Sequence, residues 1–326
     1  MNPALALSQR ERILGGLWGA LIGDALGVPV EFRNRADVQC DPVVEMRGFG
    51  THRQPSGTWS DDGALVLCTA DSLVHSQFDT GDMGSRFVKW MNDGLWTATG
   101  ETFDVGCTTA DALTRIANGT SAEEAGGRHE DSNGNGSLMR IIPVALRFAN
   151  EGINELTRPI ERASAITHGH DRSRMACVFY SLMVGKLLRG QQPQDALDST
   201  RKAFASHYAG SASLERFRHH LEDDFSLVPQ GDVVSTGYVI HTLHASLWCL
   251  LTTSSYRECV LKAVNLGGDT DTTGCVAGGL AGVAYGVQSI PADWKHQLPR
   301  QEPVGELLNK FTELCVNTNM KGKIIA

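Results

Sequence analysis

Residues 15–31 read GGLWGALIGDALGVPVE, and residues 269–286 read DTDTTGCVAGGLAGVAYG. In the first stretch Gly15, Gly19, Gly23 and Gly27 recur every fourth residue; in the second, Gly274, Gly278, Gly282 and Gly286 do the same. The residues between them are mostly apolar, which suits a helix buried on most of its faces. A glycine inside a helix costs about 1 kcal/mol relative to alanine. Four in one stripe need a compensating cause, and close backbone approach to another helix supplies it. A membrane dimer is the alternative use of such spacing, but the apolar window 13–30 is interrupted by Asp24 and the window 276–287 is too short for a bilayer. The two striped helices are therefore expected to lie against each other, so that the two ends of the chain share one core.

Working outward, helical spacing continues through Leu65, Leu67 and Leu73, through Val178, Leu182, Leu187 and Leu188, and through Leu243, Leu247, Leu250 and Leu251. Alternating strand patterns are scarce, so the expected fold is all-α. Gly-rich polar stretches at 119–136, 191–194 and 229–231 read as connections, and none is long or biased enough to separate two domains. One domain over residues 1–326 is the simplest organisation.

Hydrophobic residues make up 41% of the chain and charged residues 20%, which excludes a largely disordered protein. A net charge of −8 argues against free nucleic acid or a membrane surface as partner, since both want a basic face. The eight cysteines include no CxxC pair, and several sit in apolar helical runs; neither a zinc site nor a disulfide framework is expected. The first residues lack the basic-then-apolar order of an export signal, so the expected location is the cytoplasm.

Two acidic clusters carry the chemistry. Ser60-Asp61-Asp62 precedes one helix and Asp269-Thr270-Asp271-Thr272 precedes the second glycine-striped one. A helix N-terminus favours Ser, Thr and Asp as caps, and acids suit its dipole, so either cluster alone reads as capping. One cap needs one such residue, however, and here several hard oxygen donors crowd each helix start. Converging carboxylates would repel without cations; oxygen-only donors select Mg²⁺ or Mn²⁺, and their number suggests two ions. Glu31 lies just past the C-terminus of the first striped helix, where the dipole disfavours an acid. If the striped helices run antiparallel, Glu31 falls beside Asp269 and Asp271. The loop from Asn133 to Gly136 offers backbone amides that suit a diphosphate, although turn chemistry explains it equally well. Asp104 reads as a cap for the helix carrying Leu113 and Ile116.

Together these segments resemble the ADP-ribosylglycohydrolase family. The matching stretches are the run ending at Glu31, Trp59-Ser60-Asp61-Asp62, Phe103-Asp104-Val105-Gly106, Gly134 to Arg140, Thr167-His168, and Gly267 to Thr272, in order from about residue 12 to Trp294. The resemblance implies a compact orthogonal multi-helix bundle with a binuclear Mg²⁺ or Mn²⁺ centre. It implies Ser60, Asp61, Asp62, Asp269, Asp271 and Thr272 as metal ligands, with Ser60 where threonine is common and Gly63 where many relatives carry a second threonine. It implies Glu31 as catalytic acid, and Asp104, Gly106, Ser132, Asn133, Gly134, Asn135, Gly136 and His168 as ADP-ribose contacts. An acid at the Asp104 position tilts the linkage towards arginine, giving removal of ADP-ribose from N-linked arginine on a protein or small-molecule substrate. Two alternatives stay open: a helical metal phosphohydrolase centred on His170-Asp171, and a catalytically weak ADP-ribose-binding regulatory or immunity module.

Overall fold

The computed structural model describes residues 7–322. Among them no strand forms, and the all-α expectation holds. The helices are α1 (Gln9–Gly27), α2 (Arg35–Cys40), α3 (Asp61–Ser76), α4 (Thr80–Asp93), α5 (Cys107–Ala117) and α6 (Ala122–Ala125). They continue with α7 (Ile142–Arg147), α8 (Ile153–Ala165), α9 (Asp171–Leu188), α10 (Pro193–His207) and α11 (Arg218–Glu222). The last are α12 (Val239–Leu251), α13 (Tyr256–Val264), α14 (Thr270–Tyr285), α15 (Ala292–Gln297) and α16 (Gln301–Gly322). The four apolar runs read from spacing fall in α1, α3, α9 and α12. Two expected connections are partly helical: α6 interrupts 119–136, and Pro193 opens α10, where its missing N–H costs nothing at a first-turn position.

At the centre α1 and α14 pack antiparallel along their glycines. A methyl group built on Gly15 would stand 2.1 Å from the Gly282 carbonyl oxygen, on Gly19 2.4 Å from that of Gly278, and on Gly23 2.0 Å from that of Gly274. The reverse contacts are equally close: a methyl on Gly282 would stand 1.9 Å from the Gly15 oxygen. No side chain larger than hydrogen fits this seam, which is the cause the stripe required. Gly286 does not belong to it. It takes a left-handed φ of 78° and ends α14, a conformation that favours glycine.

Around this pair, α14 also packs on α12, α13 and α9, while α3 lies on α1, α4, α7 and α16. α1 starts with a reciprocal capping box, in which the Ser8 hydroxyl accepts from the Glu11 N–H and the Glu11 carboxylate from the Ser8 N–H. The stretch Gln9–Val30 is, by length and composition, apolar enough to cross a bilayer in spite of Asp24, because one acid hardly lowers the mean; 94% of its apolar window is buried inside the protein. All eight cysteines are free, and six of them are buried.

Candidate metal centre and substrate cleft

The antiparallel pairing has a geometric consequence. It brings the end of α1 to the start of α14, and α3 begins at the same place. Here a cleft of about 260 Å³ opens, lined by Glu31, Asp61, Asp62, Asp104, Asp269 and Thr272 on its acidic side. Gly106, Gly134, Asn135, Gly136 and His168 also line it. None of its lining residues is Lys or Arg.

Two carboxylate triads stand at the floor. Oxygens of Asp24, Asp62 and Asp271 lie within 4.8 Å of one another, and so do those of Glu31, Asp269 and Asp271. Two full charges 4 Å apart repel by about 4 kcal/mol at the effective dielectric of protein sites. Several such pairs would match the whole stability of an ordinary domain. The acids respond as expected: burial first, and like-charged neighbours second, push Asp61, Asp62 and Asp271 well above the usual carboxylate range. Asp24 is pushed up to about 7 by burial, against the pull of backbone donors.

Capping accounts for little of this. Ser60 is the N-cap of α3, and its hydroxyl accepts from Asp62 N at 3.3 Å. Asp269 occupies the N-cap position of α14 but caps nothing; its Oδ2 accepts from the Asn135 amide at 2.8 Å. Among the described residues, buried oxygens of Asp62, Asp269 and Asp271 have no hydrogen-bond partner. A buried polar atom without a partner costs about 1–3 kcal/mol, and three such oxygens distributed over the two triads fit hard cations. Thr272 adds a hydroxyl, 3.3 Å from Asp62 Oδ1. Asp61 lines the cleft outside both triads.

Glu31 sits just past the short turn Val28–Val30 that closes α1, beside Asp269 and Asp271 as the antiparallel reading requires. Burial raises its carboxyl to about 7, although His52 Nε2 bonds directly to Oε2 and draws it back. That bond in turn raises the His52 pKa. His52 also stands 3.9 Å from Asp104, so it bridges the two acids. Asp104 corrects the capping expectation. The N-cap of α5 is Gly106, and Asp104 takes a left-handed φ of 58° that turns its carboxylate into the cleft. Such a conformation is uncommon outside glycine and is costly unless the surroundings fix it.

The neutral side of the cleft is the loop before α7. Gly134 and Gly136 close over His168: a methyl on Gly136 would come 2.8 Å from its Cε1. Two expected contacts stand elsewhere. Ser132 is not part of the lining, and Asn133 turns inward, its amide donating to Glu130 O at 2.7 Å while its backbone oxygen accepts from Val239 at 3.0 Å. Both tie the loop to its base, because the chain turns towards the cleft only at Gly134. Among the described residues, His170-Asp171 belongs to no cluster of metal-binding side chains: His170 caps α9 through Arg172 N at 3.2 Å, and the exposed Asp171 pairs with Arg174.

Two members of the site, Asp24 and His52, receive no role from the sequence, although Asp24 stands inside the matching run that ends at Glu31. Asp24 accepts from Ser60 N at 3.0 Å and Gly63 N at 2.7 Å, so α1 holds the start of α3 through a buried acid. Its signal was present as the one ionisable residue deep in the glycine-striped helix. Gly63 is explained by it, since a methyl there would stand 2.9 Å from Asp24 Oδ2. His52 has no comparable signal; its place depends on how the loop after Glu31 folds back.

The protein is all-helical, with acidic groups that could hold metal ions in a cleft shared with a glycine-rich loop, and comparison with known proteins gives its class. The sequence profile of the ADP-ribosylglycohydrolase family matches residues 6–320, and the chain belongs to that family. It is 29% identical over 302 residues to ADP-ribosylarginine hydrolase Tri1 of Serratia proteamaculans, covering 92% of this chain and 79% of that one. It is 30% identical to the ADP-ribosyl-[dinitrogen reductase] glycohydrolase of Rhodospirillum rubrum, covering 89% of this chain and 91% of that one. Among solved structures, one titled ADP-ribosylglycohydrolase-related protein complex superposes with a TM-score of 0.80 at 32% identity, covering 94% of this chain and 99% of that one.

Proposed function

We propose that this protein, acting as a single domain, is a metal-dependent hydrolase that frees ADP-ribose from N-linked arginine. The observation that carries the reading is the cleft itself: buried acids with unpartnered oxygens and no Lys or Arg among its lining residues. An anionic diphosphate enters such a cleft only with cations, and a cationic guanidinium suits its outer acids.

Asp62, Asp269 and Asp271, with Asp61, Ser60 and Thr272, would hold two Mg²⁺ or Mn²⁺ ions; Asp271 belongs to both triads. Asp24 joins one triad and also orients Ser60. Bound cations would supply Lewis acidity, activating water and aligning the ribose hydroxyls. The chain's own residues do the rest. The Gly134–Gly136 loop and His168 hold the ADP-ribose, and Asn135 fixes Asp269 through its amide. Glu31, with its carboxyl poised near neutrality, exchanges a proton at the scissile bond. Water adds to the anomeric carbon as the C–N bond breaks with oxocarbenium character, and the proton ends on the guanidine nitrogen. Asp104 meets the leaving guanidinium with charge-assisted hydrogen bonds. Likeness to a relative named ADP-ribosylarginine hydrolase supports the choice of arginine.

The test compares arginine-linked and serine-linked ADP-ribosyl peptides with Mg²⁺ present and chromatographic detection of free ADP-ribose. Faster release from arginine is expected. Equal rates would remove the case for arginine while leaving hydrolysis intact.

A further inference from the structure

Arg140 has no exposed surface, yet no carboxylate pairs with it among the described residues. Its Nη2 donates to the Ala163 carbonyl at 3.1 Å and to Thr167 Oγ1 at 2.8 Å. The guanidinium lies over the Phe87 ring, 4.5 Å from its centre, and Nε and Nη1 have no partner. A buried charge without a counter-ion is costly, so stability alone does not account for Arg140.

What lies beyond it does. The Thr167 hydroxyl has two polar neighbours, Arg140 Nη2 and, at 2.9 Å, His168 Nδ1. A guanidinium only donates. The hydroxyl oxygen therefore accepts from Arg140, and its one proton is left for His168 Nδ1. A neutral imidazole that accepts at Nδ1 carries its hydrogen on Nε2. Burial, with the Arg140 charge behind it, holds His168 down to about 3, so the ring stays neutral. The backbone is fixed too: His168 N donates to Ser164 O at 2.8 Å, and His168 O accepts from Ser164 Oγ at 3.0 Å.

We infer that Arg140 is a positioning residue which, through Thr167, holds His168 in the Nε2–H form and so makes it a hydrogen-bond donor to an oxygen of bound ADP-ribose. The inference rests on the proposed role of His168 as an ADP-ribose contact. With the opposite tautomer, Nε2 would present a lone pair to the diphosphate or ribose oxygens and repel them.

Two measurements separate the relay from the reading beneath it. Long-range ¹H–¹⁵N spectra of the ligand-free protein, with His168 assigned from His168→Gln, report the tautomer directly. The Nε2–H form is expected in the wild type and in Thr167→Ser, and a mixture in Thr167→Val. Calorimetry with free ADP-ribose and Mg²⁺ should show affinity about tenfold weaker in Thr167→Val, the worth of one hydrogen bond to a charged group, and recovery in Thr167→Ser. An Nδ1–H wild type, or a Thr167→Val variant unchanged in tautomer, overturns the relay. Unchanged affinity in His168→Gln overturns instead the placement of ADP-ribose at His168.

Discussion

The smallest unit of the account is a single unpaired oxygen. Asp62 Oδ2 is buried and unpartnered, next to Asp24 and Asp271. In metal-free protein, Asp62→Asn should raise stability by about 1–2 kcal/mol, part of the roughly 4 kcal/mol that two full charges at 4 Å exert. Millimolar Mg²⁺ should raise the melting temperature of the wild type by mass action and leave the variant where it was. Thermal scans in chelator and in Mg²⁺ check both, and a wild type indifferent to Mg²⁺ would count against the centre. At Asp104, the Asn variant should lose most arginine-linked turnover and keep free ADP-ribose affinity, since Gly106 rather than Asp104 caps α5. A variant with normal turnover removes Asp104 from the leaving-group side. The acids of Ser60-Asp61-Asp62 and Asp269–Thr272 were legible because crowding exceeds what capping needs. Asp24 was visible as an acid of a matching run but its role was not, and His52 carried no signal, since each gains its role from a tertiary approach: Asp24 to the N–H groups of α3, His52 to Glu31. Ser132 and Asn133 came from the family resemblance, just before the matched stretch that starts at Gly134, and neither is among the residues lining the cleft.

Among helices, the α1–α14 seam is the element most plainly written in the chain. Gly278→Ala would put a methyl 2.2 Å from the Gly19 carbonyl oxygen, with backbone on both sides unable to yield. We expect a loss of at least about 3 kcal/mol, at the top of the overpacking range. Gly305→Ala, in α16 with nothing within 4 Å, should be neutral or stabilise by up to about 1 kcal/mol. Urea titrations of the two variants give the contrast, and similar midpoints would refute the seam. A second prediction concerns His220, buried against Phe179 and Phe217 with both ring nitrogens unpartnered. Burial holds its pKa well below the usual value, and holds that of neighbouring His244 down to about 4. His219, His241, Arg201 and Asp223 make up the titratable and charged surroundings of this pair. A histidine so depressed binds its proton more readily in the unfolded chain. Its contribution is full above about pH 6.5 and is lost as pH falls towards the folded value, about 4 for His244. His220→Phe should therefore be more stable at pH 7 by about 1 kcal/mol and lose less on acidification to pH 5. A steeper acid loss in the variant would contradict this. The pairing was legible because glycine leaves a register in sequence; apolar helices such as α9 and α12 carry no such mark, so their neighbours were not.

At the scale of the whole molecule, a chain of net charge −8 gathers several of its acids in one cleft. The two ends of the sequence close on each other, α3 joins them, and the acids meet where three helix termini converge. The acids share their cleft with the Gly134–Gly136 loop and His168. The most direct test incubates the purified protein with an arginine-linked ADP-ribosyl peptide, in Mg²⁺ and again after chelation. Release of intact free ADP-ribose with Mg²⁺, stopped by chelator and restored by added metal, is the predicted result. Tight ADP-ribose binding without release, or liberation of inorganic phosphate in place of ADP-ribose, would contradict it.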